Sequence, residues 1–212
     1  MNRRTFVVTA GAAALAPSLS AAQTNAERSI AATRVFGQLQ NYYALQPSAR
    51  SHFRPVYLLG GAGGSATTAY LASRGQRREL HVDARGRVLD PPTPQELSDA
   101  QVIVPTSAGR MSMGLSLEPV LSLAPTIAAT EPALCVRQAN DAIGRFAGLL
   151  GFVIPRIGGV GFKDVSGAAV WPDGRRRALP VEHDAASFPI GDDFAGASRL
   201  EFSSTPTAAA FV

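Results

Sequence analysis

Arg78-Glu79-Leu80-His81-Val82-Asp83, continuing into Ala84-Arg85-Gly86-Arg87-Val88-Leu89, is the stretch that decides the fold class. Leu80 and Val82 alternate with polar neighbours, the period of a half-buried strand. Asp83-Ala84-Arg85-Gly86 carries Asp at the first and Gly at the last position of a tight turn. Val88 and Leu89 then run back beside the strand they left. A strand that returns on itself through so short a turn must pair antiparallel.

Reading outward, Gln101-Val102-Ile103-Val104 closes this region as a further strand, after Pro91, Pro92, Pro94 and a short acidic turn from Gln95 to Asp99. Upstream, Phe53 to Leu59 reads as a strand with Pro55 placing it at an edge or start, and 66–72 as another. Residues 25–45 read as a helix capped by Asn25 and ended by Pro47. The stretch 105–130 shows no regular period. A second helix is expected from Thr130 as its cap, with Pro132 in its first turn, to Gly151. Strands follow at 151–154, 160–165 and 167–171, then a hairpin turn at Pro172-Asp173-Gly174-Arg175 and a last strand at 199–203. Residues 205–212 are expected to fray. Antiparallel strands with two segregated helices predict an α+β fold.

The two halves, 25–105 and 131–204, run through similar elements in similar order, which raises an internal duplication of a helix-plus-strands unit. The hairpins align without a gap from Val82–Arg87 to Val170–Arg175. Leu89 and Pro91 then answer Leu179 and Pro180 out of register. Val102–Val104 matches Leu200–Phe202 in kind, and Gly60-Gly61 answers Gly158-Gly159.

The chain begins Met1-Asn2-Arg3-Arg4-Thr5-Phe6, runs through an uncharged Ala-rich stretch to Pro17, and reaches Ser20-Ala21-Ala22. A basic start, an apolar middle and small residues before a cut are the three parts of a cleavable export signal. Arg3, Arg4 and Phe6 resemble the twin-arginine class of leader, although Asn2 stands where Ser or Thr is usual and Val8 where Lys is common. That resemblance implies export of an already folded protein, often one with a cofactor. The expectation is a leader over 1–22, one α+β domain over 23–204, and a periplasmic or secreted destination with no membrane span once the leader is removed.

Of the 212 residues, 46% are apolar and 17% charged, which suits a packed core and argues against global disorder. The net charge of +4 includes Arg3 and Arg4, and no acid lies in 1–22, so residues 23–212 carry +2. Lys163 is the only lysine against 19 arginines, a skew that reads as a composition bias and not as a nucleic-acid footprint, so a nucleic-acid partner is not expected. Cys135 is the single cysteine, so no internal disulfide can form, and its apolar neighbours Leu134 and Val136 suit a small buried hydrophobe.

No catalytic constellation stands out. Gly60–Ser65 lacks the lysine of a phosphate-binding loop and reads as a turn. Gly114-Leu115-Ser116-Leu117 lacks the second glycine of a nucleophile elbow. His81 and Asp83, two apart on one strand face, could join His183 and Asp184 on a divalent metal if the hairpins are related. Arg175, Arg176 and Arg177 could meet an anion or an acidic surface. Trp171 could be an exposed anchor for sugar or peptide, or a cap on the core. These features favour a binding or envelope-accessory module of unknown ligand and unknown cofactor. The alternatives are a hydrolase or metal-dependent enzyme using His81, Asp83 and His183, and an apolar-ligand carrier.

Overall fold

The computed structural model describes residues 27–61, 68–105, 111–147 and 156–212. The fold is α+β, with antiparallel sheets throughout. The first half runs β1 (Glu27–Ala31), α1 (Ala32–Val35), α2 (Leu39–Ala44), β2 (Phe53–Gly61), β3 (Ala69–Ser73), β4 (Gln76–Leu80), α3 (Pro94–Asp99), β5 (Gln101–Pro105) and β6 (Met111–Pro119). The second runs β7 (Thr126–Ala128), α4 (Thr130–Ala147), β8 (Gly159–Lys163), β9 (Gly167–Val170), β10 (Arg176–Ala178), β11 (Val181–Glu182), β12 (Ala185–Pro189), β13 (Arg199–Phe202) and β14 (Ala209–Phe211).

The deciding stretch folds as its turn chemistry dictates. Gly86 donates to the Asp83 carbonyl at 2.9 Å, and Leu89 donates back to His81 at 2.8 Å. Gly86 has φ +82°, a left-handed conformation that glycine enters without a Cβ penalty. The Asp83 carboxylate accepts from the backbone amides of Arg87 and Arg85, contacts that hold its pKa below the ordinary value.

Several expectations need correction. The helix over 25–45 is instead a strand and two short helices, because Glu27–Ala31 pairs along its whole length with β5. Its expected cap, Asn25, lies outside the described residues, as do Gly151, the strand at 151–154 and most of the glycine loop. The acidic turn at Gln95–Asp99 is the helix α3, started by a Thr93/Glu96 capping box that satisfies two otherwise open amides. The irregular stretch 105–130 contains the long strand β6, paired with β2 from Phe53–Pro119 to Gly61–Met111. The tail does not fray, since β14 pairs with β8 and Gly158 donates to the Val212 carbonyl at 2.8 Å.

The two halves share one topology. Sheet order is β1-β5-β3-β4 in the first and β7-β13-β9-β10 in the second, and β2–β6 is answered by β8–β14. The register agrees residue by residue. Val102 stands between Ile30 and Leu71, as Leu200 stands between Ile127 and Ala169. The Ala32 amide donates to Ala100 where each helix begins, as the Ala129 amide donates to Ser198. Leu89 donates to His81 as Ser187 donates to Pro180. At these equivalent places Ile30-Ala31-Ala32-Thr33 recurs as Ile127-Ala128-Ala129-Thr130, and Arg77-Arg78-Glu79-Leu80 as Arg176-Arg177-Ala178-Leu179.

The two halves therefore repeat one arrangement, in a register other than the expected one. The Val82–Arg87 turn corresponds to the β11–β12 turn, and the β9–β10 turn at Gly174 corresponds to the β3–β4 turn at Gly75. Leu179 answers Leu80, not Leu89. Gly60-Gly61 ends β2, whereas Gly158-Gly159 leads into β8. The closing strands correspond as expected.

Each half has its own core, one around Phe36, Leu71 and Val102, the other around Phe162, Trp171 and Leu200. A third cluster joins them, with Leu45 and Phe53 against Ala139 and Ala142 of α4. Cys135, Val136, Ala139 and Ala142 recur at helical spacing and form the buried face of α4. Gln138 ties across this seam, accepting from the His52 amide at 3.0 Å and donating to the Ser48 carbonyl at 2.8 Å. β6 and β14 lie alongside each other, so the halves meet through the same element of each, as identical subunits do in a two-fold dimer.

Candidate functional site

The four residues considered for a metal do not gather. Among the described residues no group of three or more His, Cys, Asp or Glu side chains is placed to hold one. His81 is exposed and its Nδ1 lies 2.8 Å from Asp90. Asp83 is committed to its own turn. His183 and Asp184 have φ +50° and +61° and form the two-residue loop between Glu182 and Ala185, the mirror-image turn that suits strand twist. The two turns occupy corresponding positions in the two halves, but β2, β6, β14 and β8 stand between them in strand order.

Trp171 is not an exposed anchor. It is 5% exposed, belongs to the second core, and donates from Nε1 to the Ala195 carbonyl at 2.8 Å. Burying the indole while its N–H keeps a partner is the ordinary solution for tryptophan. Two of the three arginines cover the aromatic cluster it belongs to. Arg175 lies 4.2 Å over the Trp171 ring, and Arg177 5.0 Å over Phe194, which itself stacks against Trp171. Arg176 and Arg177 are paired with Glu201 and Asp193.

Phe194 of this aromatic cluster lines one side of an apolar groove of about 440 Å³. Its walls are the start of α4 (Ala129, Thr130, Ala133) and the segment from Phe188 through Ile190 and Phe194 to Ala197. Among the described residues no charged side chain lines it, and Ile190 is exposed at its rim. The corresponding place in the first half is a smaller hollow of about 230 Å³ bordered by Thr33, Gln40, Pro94, Leu97 and Ser98. There α3 fills the space. Its Glu96 is held by Arg78 at 2.9 Å and by the Thr93 amide at 2.8 Å, which draws the Glu96 carboxyl down to about 2. In the second half α3 is replaced by a single tight turn, Asp192–Phe194, and the groove opens.

Cys135 is fully buried on α4, and burial pushes its thiol up to about 11, which removes it as a nucleophile at neutral pH. Among the described residues no helix is long and apolar enough to cross a membrane. Comparison with known protein families, with curated proteins and with solved structures finds no match.

Trp171 and the arginines stand out in the sequence, but the groove is lined by other residues, from the start of α4 and the segment 188–197. Ile127–Thr130 and its earlier copy at Ile30–Thr33 were the available signal, because they mark where each helix begins.

Proposed function

We propose that the chain is an exported periplasmic binding or envelope-accessory module that receives its partner in the apolar groove at the start of α4. The observation that carries this reading is the uncharged lining of that groove, open in the second half where the first half is closed by a capped helix. An exposed apolar depression is costly to leave in water unless something covers it. The leader, with Arg3, Arg4 and the small residues before Gln23, supports the destination. Binding, rather than chemistry, fits a site without a titratable side chain.

The test is a photoreactive phenylalanine analogue at Ile190, in the groove rim, compared with the same group at Leu89, exposed in the first half. In the periplasm, the reading expects one discrete adduct from Ile190 that Ala133→Arg abolishes, on a chain whose mass begins at Gln23. Equal adducts from both positions, or none from Ile190, would overturn it.

A further inference from the structure

A second hollow, of about 340 Å³, lies on the sheet β11-β12-β8-β14, away from the groove. Opposed residues of antiparallel strands point to one face, and the register therefore sets Glu182, Ala185 and Lys163 in one row and Ser187, Gly161 and Ala210 in the next. The floor, lined by Gly161, Ala185 and Ala210, is thus made of small residues, with a carboxylate at one side and an ammonium at the other. Glu182 and Lys163 are two strand spacings apart, roughly 10 Å, and no ion pair joins either to another group among the described residues. His183, Phe211 and Val212 complete the rim.

The duplicated half shows what this face looks like when it is closed. There Ala185 is answered by Arg87, whose guanidinium reaches Glu118 at 2.7 Å, and Arg54 reaches the same carboxylate at 3.1 Å. That ladder fills the face with its own opposite charges. In the second half the filling arginine has become alanine, while the flanking acid persists as Glu182 in the place of Asp83. Removing the internal cation and keeping separated charges of both signs around a small-residue floor leaves room for a ligand that brings both signs itself. Its volume is at the small end of pockets that hold organic ligands, about 300–1,000 Å³.

We infer that this hollow seats a small zwitterion, a free amino acid with a short apolar side chain. Its carboxylate meets Lys163, its ammonium meets Glu182, and its side chain rests on Val212, which lies over Gly161. The site is independent of the groove at α4, so either reading can fail without the other.

L-leucine titrated into the isotopically labelled chain tests this by amide NMR, beside isovalerate and isoamylamine, which each keep one charge and the same branched tail. L-leucine is expected to shift Gly161, Lys163, Ala185 and Ala210, with affinity reduced at least about tenfold by Lys163→Met and by Glu182→Gln, each removing one charge-assisted contact. Both single-charge analogues are expected to bind weaker by a similar factor. Both substituted positions are exposed, so these variants leave the core untouched. No shift with L-leucine at roughly 20 mM, isovalerate or isoamylamine binding as well as L-leucine, or unchanged binding in either variant would each overturn the proposal.

Discussion

Arg78→Ala and Arg177→Ala remove equivalent residues of the two halves, and the structure predicts unequal costs. Arg78 reaches Glu96 at 2.9 Å and Asp90 at 2.8 Å, and it also donates to the Asp90 carbonyl at 3.1 Å. Both acids are about as shielded as the arginine, which is 34% exposed. Arg177 has one acidic partner, Asp193, which is 75% exposed. Charge-assisted bonds to partly shielded partners contribute about 1.5–3 kcal/mol, and solvent screening reduces this to about 2 kcal/mol for Arg78. An exposed pair such as Arg177–Asp193 contributes about 0.5 kcal/mol. For a chain of this size the first loss lowers Tm by about 4–8 °C and the second by about 1–2 °C.

The pH dependence separates this account from simple loss of packing. Glu96 is held at about 2 against an ordinary 4.5, chiefly by Arg78. Unfolding therefore takes up a proton between those values, so the stabilisation is complete above pH 4.5 and disappears as pH falls toward 2. In Arg78→Ala the carboxyl moves back toward its ordinary value. The gap between the parent chain and the variant, measured by urea unfolding, should narrow by more than half from pH 7 to pH 3. A gap constant with pH, or equal costs for the two arginines, would refute the reasoning.

Two further outcomes are expected. Tyr57 is buried, and its hydroxyl makes no hydrogen bond among the described residues; burial also raises its pKa well above the ordinary phenol value. Its register equivalent is Phe162, so Tyr57→Phe should leave stability unchanged or raise it by up to about 1 kcal/mol, and a loss of that size in thermal unfolding would show a missing partner. Cys135 should react with a disulfide reagent at pH 7 only as fast as the chain unfolds, and labelling of the native protein at the rate of a free thiol would contradict its burial and its thiol pKa near 11.

What the sequence determined by itself was local. The Asp83–Gly86 turn, the helix entered near Pro132 and the strands at 101–104 and 199–203 were all legible, because turn residues and periodicity act within a few positions along the chain. The α+β class follows from them. His183, Trp171 and the arginines were legible as residue types, but not their surroundings. Tertiary structure alone decided that Glu27–Ala31 is a strand, since its partner β5 lies about seventy residues away, and that the tail pairs with β8 instead of fraying. It also decided the register of the duplication. Both hairpins carry a glycine after an acidic residue, a generic solution to a tight turn, so matching them by turn chemistry joined the wrong pair. Only the cross-strand partners of Val102 and Leu200 show which residues correspond. The same non-local pairing brings Lys163 level with Glu182, nineteen residues apart in the chain and two strands apart in the sheet, because a sheet sets neighbours by register and not by sequence distance.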